Sequence, residues 1–197
     1  VSCGGQFCCA LSYQHQVKCW GEGVNYKLGF CCNITGHSWT EDPREYDSQG
    51  RHEVADSDNY GDNEGEMYDD LPVLDFGDDF TVYRIRCGQS HACALSTDGE
   101  VKCWGKNNNG QLGLGSTSAE FKPAAFDVDR DWLQIATGEE HSCAIADDKT
   151  LWCWGRNSEG QLGIDSVDRQ TSPVKVNDDS WLHISAGYRS SCGITTD

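Results

Sequence analysis

The stretch "GEVKCWGKNNNGQLGLG" (Gly99–Gly115) decides how this chain folds, because most of it occurs again. "KTLWCWGRNSEGQLG" spans Lys149–Gly163, and "HQVKCWGEGVNYKLG" spans His15–Gly29. A glycine run of this kind could cradle a phosphate, but no Gly-Lys-Ser/Thr is present. Gly113-Leu114-Gly115 also lacks the third glycine of a dinucleotide loop. No amphipathic helix follows to aim a dipole at an anion. A segment that returns is architecture, and this one reads as a turn used once per repeat.

Alignment on the Cys-Trp-Gly triplets gives units starting near residues 3, 87, 137 and 186, the fourth being the fragment "AGYRSSCGITTD". Trp104 and Trp154 lie 50 residues apart, whereas units one and two are 84 apart, so an insertion over residues 36–80 separates them. Within unit two, "ACALS" and "EVKCW" flank Thr97-Asp98-Gly99, a three-residue hairpin turn with glycine in the left-handed position. Counting outward from that turn sets Cys93 opposite Cys103. The same spacing pairs Cys9 with Cys19 and Cys143 with Cys153, close enough for disulfides within each hairpin. His15 and Lys149 stand at the Gly99 position and leave the turn type of their hairpins open.

On the opposite face Ala92 meets Trp104, Ser142 meets Trp154 and Cys8 meets Trp20. An indole beside a small residue suits interlocking sheets, so each hairpin is apolar on both sides and lies between neighbours. The predicted fold is all-β: a partial β-propeller of disulfide-stapled antiparallel blades with repeats of about 50 residues, one domain over 1–197.

"GQSHACAL", "GEVKCWG" and "NNNGQLGLG" resemble repeats of the regulator of chromosome condensation family, in its cysteine-rich extracellular form. The resemblance implies a seven-bladed propeller. It extends to "GDNEGEMYDDLPVLDFG" (Gly61–Gly77), which is similar to an inter-hairpin segment. Unit one departs from the pattern, with Gly23, Tyr26 and Lys27 where unit two has Asn107, Gly110 and Gln111. Such repeats specify fold far better than function.

Twelve cysteines in 197 residues, none in a Cys-x-x-Cys, point to disulfides and an oxidising compartment rather than to zinc. Asn33-Ile34-Thr35 is an acceptor for N-linked glycan, and the expected localisation is extracellular, secreted or at the cell surface. The formal charge is −17, and residues 41–80 alone carry 15 Asp/Glu against two Arg. Such a chain repels phosphates and anionic lipid, which argues against nucleic acid as a partner. No run of eighteen apolar residues exists for membrane insertion. The opening on Val1, without Met or a signal-like stretch, suggests a processed or partial product.

The acidic insertion contains "DSDNYGDNEGEM", whose Asp56, Asp58, Gly61 and Glu64 fall at calcium-loop positions. With Asp62 these carboxylates form a candidate calcium set. Tyr60 and Met67 replace two usual ligands, and a purely solvated acidic loop is the alternative. His91 and His141 share one repeat position. They read as hydrogen-bonded structural histidines near the central channel rather than metal ligands. No Ser/His/Asp order or Cys/His pair identifies a catalytic residue, and no cofactor is required.

The expected function is therefore a non-enzymatic extracellular structural or protein-interaction module, such as a subunit of a larger or polymeric surface assembly. Its partners would be proteins or further copies of itself. Alternatives implied by the family are a secreted propeller that binds one protein ligand, as an inhibitor does, and a guanine-nucleotide-exchange propeller. Cys192 should find its partner ten residues on, past Asp197. The sequence thus leads us to expect that the polypeptide continues through that blade, or that a neighbouring subunit's strand completes it.

Overall fold

The computed structural model describes residues 1–23, 25, 27–29, 71–126 and 130–196. Among them are thirteen β-strands arranged as four consecutive antiparallel sheets. The first holds β1 (Ser2–Cys3), β2 (Phe7–Leu11) and β3 (Val17–Gly21). The second holds β4 (Val82–Cys87), β5 (His91–Ser96), β6 (Val101–Gly105) and β7 (Glu120–Ala125). The third holds β8 (Trp132–Thr137), β9 (His141–Ala146), β10 (Leu151–Gly155) and β11 (Gln170–Lys175). The fourth has two strands, β12 (Trp181–Ala186) and β13 (Ser191–Thr195). Strands pair in chain order within every sheet, as in the blades of a propeller.

The hairpin register follows from the turn. Cys9 faces Cys19, Cys93 faces Cys103 and Cys143 faces Cys153, each pair bridged with Cα atoms 4.1 Å apart. His15 and Lys149 keep the same loop as Gly99, with φ of 62°, 68° and 89°. An L-residue in this left-handed region costs about 1–2 kcal/mol. At His15 a hydrogen bond between Nδ1 and the Val82 carbonyl, 2.8 Å, helps to offset it.

Two features lie outside the hairpin pattern. Cys3 and Cys8, on adjacent strands β1 and β2, form a fourth disulfide. Residues 71–80, inside the stretch that the sequence assigns to the acidic insertion, build part of the first blade. The Leu74 amide donates to the Val17 carbonyl at 2.9 Å, as Val176 does to Leu151 in the third blade. Leu71, Leu74, Phe76 and Phe80 are buried there. The apolar residues spaced along this short run define a blade edge that its flanking carboxylates mask in the sequence.

Neighbouring sheets converge through their first strands, β1, β4, β8 and β12. The approach is backbone to backbone. A Cβ on Gly4 would lie 2.0 Å from the Gly88 carbonyl, one on Gly88 2.4 Å from that of Gly138, and one on Gly138 2.5 Å from that of Gly187. Three apolar clusters fill the spaces between sheets. In the first two, the disulfide of one sheet lies beneath the tryptophan of the next: Cys9–Cys19 with Trp104, and Cys93–Cys103 with Trp154. Both indoles are fully buried.

Gly88→Ala should lower stability by about 1–3 kcal/mol, because neither carbonyl nor blade can yield without moving the sheet. Gly77→Ala, which meets open space at φ 81°, should cost only about 1 kcal/mol. Equal denaturant midpoints for the two variants would contradict the proposed blade spacing. Replacing Cys93 and Cys103 together with Ala should lose about 2–3 kcal/mol on the chain-entropy estimate, read by the same unfolding curve.

Candidate protein-interaction rim

In an up-and-down sheet, alternate connections emerge at the same end. The turns between first and second strands therefore share one rim of the propeller with the glycine-rich loops that follow the third strands. Each of these loops is organised by an asparagine. Asn107 accepts the Leu112 amide at 3.0 Å and donates to the carbonyls of Ser116 and Ser118. Asn157 accepts the Leu162 amide at 3.0 Å and donates to the Ser166 carbonyl. Gly23 of unit one has no side chain to do this.

Beneath the rim the blades are latched together. Ser142 donates to the Gln111 carbonyl at 2.9 Å, so its single proton is committed, and the 2.9 Å contact from His91 Nε2 is a donation by the imidazole. His141, Ser191 and the Gln161 carbonyl repeat the arrangement one blade on, at 3.0 and 2.8 Å. Both rings are neutral Nε2–H tautomers, and Nδ1 of each is buried without a partner among the described residues. In distance these pairs look like a nucleophile and its base, but the proton runs from His to Ser and on to a carbonyl. This is the opposite of what base catalysis needs. The histidines are structural, as their shared repeat position suggests.

The charged groups of the rim form one chain of contacts. Lys106 Nζ lies 2.6 Å from Glu140 Oε1, and Arg156 reaches Glu140 at 3.3 Å and Glu159 at 3.0 Å. Arg189 reaches Glu159 at 3.5 Å and Glu139 at 3.0 Å, and Asn109 donates to Glu140. Half-exposed pairs of this kind add little stability singly, but as a network they fix the pattern of charge that the rim presents. Tyr188 stands exposed beside Glu139. Sequence reasoning missed this surface. Its signal was that Gln89-Ser90, Glu139-Glu140 and Tyr188-Arg189 vary within an otherwise repeated stretch.

Among the described residues no group of three or more His, Cys, Asp or Glu is placed to hold a metal ion. The candidate calcium residues Asp56, Asp58, Asp62 and Glu64, the glycan acceptor Asn33, and Cys31 and Cys32 all lie outside the described residues.

Two profiles of the regulator of chromosome condensation (RCC1) repeat match the sequence, one over residues 98–145 and 148–194, the other over 1–26, 82–111 and 132–161. The chain belongs to the RCC1 repeat family. It is 32% identical over 131 residues to the mitochondrial RCC1 domain-containing protein RUG3 of Arabidopsis thaliana, covering 66% of this chain and 22% of RUG3. Among solved structures, Prp20p of Saccharomyces cerevisiae superposes with a TM-score of 0.73 at 17% identity, over 99% of this chain and 43% of that one. The CRINKLY ectodomain of the Arabidopsis thaliana receptor kinase ACR4 gives 0.53 at 18% identity, over 98% and 50%. The chain thus spans less than a quarter of the curated relative and no more than half of these structures.

Burial pushes the pKa of His91 down to about 3, helped by the nearby His141 and Lys106. Burial likewise pushes His141 down to about 4, against the pull of Glu139. Unfolded imidazoles take up protons near 6.5, so between that value and about 4 the unfolded state binds more protons than the native one. The stability that the neutral histidines contribute is complete above pH 6.5 and is lost as the pH falls through this window. The urea midpoint should drop between pH 7 and pH 4.5. The drop should be smaller in His91→Phe/Ser142→Ala, which copies the Phe7–Ala92 pairing of the preceding interface. An unchanged pH dependence in that variant would refute the assignment.

Proposed function

We propose that this chain is a non-enzymatic protein-interaction propeller of an oxidising compartment, secreted or at the cell surface, serving as a structural or adaptor unit in a larger assembly. The observation that carries the reading is the repeated bridge. Three blades place a cysteine pair at the same buried position, and Cys3–Cys8 adds a fourth. Reducing conditions would leave six apposed thiols in the packed interior, whereas an oxidising compartment converts them into staples.

The family supplies the kind of partner. The Prp20p structure is described with its binding to Gsp1p and histones, and the ACR4 propeller is the ectodomain of a receptor kinase. The partners named for Prp20p are proteins, and a protein partner is what is proposed for this chain. For this chain a net charge of −17 favours protein partners with basic surfaces and disfavours nucleic acid. Glycan at Asn33 and calcium at Asp56, Asp58, Asp62 and Glu64 fit the same compartment and form part of the proposal.

Expression through a secretory pathway should yield soluble protein in which non-reducing peptide mapping finds the four bridges. Expression in a reducing cytosol should yield material with a lower unfolding midpoint. On the secreted protein, glycosidase should reduce the mass of the Asn33 peptide, and chemical cross-linking at its native surface should capture proteins in a salt-sensitive manner. Free thiols throughout the native protein, with the same midpoint before and after reduction, would overturn the compartment.

A further inference from the structure

The large apolar side chains between the sheets are seated. Trp104 Nε1 donates to the Lys27 carbonyl at 3.1 Å and Trp154 Nε1 to the Gln111 carbonyl at 2.9 Å, so each indole rests on the preceding blade. Tyr83 and Leu133 have no such seat. They stand 52% and 43% exposed, in sheets that have a blade on either side.

Both occupy the same position of the repeat. The first strand of each sheet carries one extra residue against its partner. Val82 faces Ser96 and Arg84 faces Leu95, while Trp132 faces Ala146 and Gln134 faces Ile145. Tyr83 and Leu133 are therefore bulged residues, and β12 repeats the bulge at Leu182. A bulge re-aims its side chain out of the ladder. The buried residues around it, Val82 and Ile85 or Trp132 and Ile135, stand three apart rather than two and complete the core without it. Nothing in the packing asks for an apolar residue at the bulge, yet all three are large and apolar. Single exposed hydrophobics are ordinary, whereas one that recurs at the same repeat position marks a contact surface.

The bulges lie at the end of the propeller opposite the rim, beside the turns between second and third strands. Hydrogen bonds clip each turn to the first strand of the next blade. His15 Nδ1 donates to the Val82 carbonyl at 2.8 Å, beside Tyr83, and the Trp132 amide donates to the Gly99 carbonyl at 2.8 Å, beside Leu133. The Asp147 amide donates to the Asp131 carbonyl at 3.0 Å. Leu133 is thus bracketed by three exposed aspartates: Asp98 in the clipped turn, Asp131 two residues before it, and Asp147. Tyr83 has the exposed Tyr13 in the turn beside it. The Arg84 guanidinium lies over the Tyr83 ring at 5.2 Å, so this ring already takes a cation on its face.

Charge at this end is uncompensated. Asp78-Asp79 and Asp178-Asp179 also lead into first strands here, and Glu100 and Asp148 belong to the turns. Against them stand Arg84, Arg130, Lys149 and Lys175, of which Arg130 and Lys175 are already paired with Asp148 and Asp178. At the rim, by contrast, Lys106, Arg156 and Arg189 balance Glu139, Glu140 and Glu159. We infer that the bulge-and-turn face, with Tyr83 and Leu133 as its apolar anchors, is the docking surface for a protein segment in which lysine or arginine alternates with apolar residues. This surface presupposes the protein-interaction reading given above and puts the contact opposite the rim. Apolar side chains of the segment cover Leu133 and Tyr83 while its cations meet Asp98, Asp131 and Asp147. The same carboxylates repel nucleic acid and anionic lipid, and a second copy of this chain, at net −17, brings charge of the same sign.

The probe is a short synthetic peptide alternating Lys and Leu, followed by fluorescence anisotropy against the secreted, disulfide-bonded protein at low salt. Tyr83→Ser/Leu133→Ser should weaken binding about tenfold. Asp98→Asn/Asp131→Asn should weaken it by a similar factor and flatten its salt dependence. All four side chains are exposed, so both variants should keep the parent's urea midpoint. A Lys/Ser peptide of equal charge should bind about tenfold more weakly than the Lys/Leu peptide. Equal affinity of the two peptides would reduce the surface to non-specific charge and overturn the proposal. Unchanged binding in both double variants, with loss instead in Glu139→Gln/Glu140→Gln, would also overturn it, moving the contact to the rim and leaving the protein-interaction reading intact. Anionic phospholipid vesicles held at Tyr83 and Leu133 would overturn it in favour of a membrane. Absence of any cross-linked protein, with the peptide still held at Leu133, keeps the surface and counts against the wider reading.

Discussion

The spacing of the blades is set by glycine against carbonyl. Gly4, Gly88 and Gly138 form a ladder in which each rung touches the backbone of the next unit's glycine, ending on Gly187, at distances no side chain could share. Everything between the sheets is sized to that approach. The rings of Phe7, His91 and His141 lie so close to their own glycines that a Cβ would strike them too. The disulfide of one sheet and the indole of the next fill what remains. A propeller with wider spacing would need larger side chains at every one of these positions.

Within that spacing two chemical solutions serve the same contact. His91 meets Ser142 and His141 meets Ser191, a polar pair that completes its bonding on a loop carbonyl. Phe7 precedes Ala92 at the corresponding position of the first interface, an apolar pair that needs no such completion. Mixing the two would leave a buried hydroxyl or ring nitrogen unpaired, at a cost of about 1–3 kcal/mol. Lys27 replaces Gln111 without disturbing the indole seat because the accepting atom belongs to the backbone. Its own ammonium is buried and paired with Glu22.

Most of the fold was readable because a hairpin is a local object. The turn at Thr97-Asp98-Gly99 fixes the register, and the register places the cysteines and tryptophans of the hairpins on known faces. Contacts between blades were less readable: the His–Ser latches join residues about 50 positions apart, and nothing in either hairpin alone requires them. Cys3–Cys8 escaped because pairing was counted from the second turn, and β1 lies outside that hairpin. The rim network escaped for a different reason. Its members are the residues that differ between repeats, and an alignment built on sameness passes over them.

The indole seats give the array a direction. Each blade makes a receptacle and the following blade fills it, so the two flanks of any stretch of blades are chemically unlike. Separation at an interface leaves a cavity on the earlier side and a bare tryptophan on the later side. Opening at the first interface would wet Trp104 and opening at the second would wet Trp154, while the phenylalanines packed on them, Phe76 and Phe126, stay with the blade left behind. Local unfolding is thereby polar along the chain: indole emission reports the blade that departs toward the C-terminus, and dye uptake reports the blade that stays. A chain that grows by adding such units presents the same socket at its advancing end after every addition, which lets repeat number change in evolution without redesign of the junction.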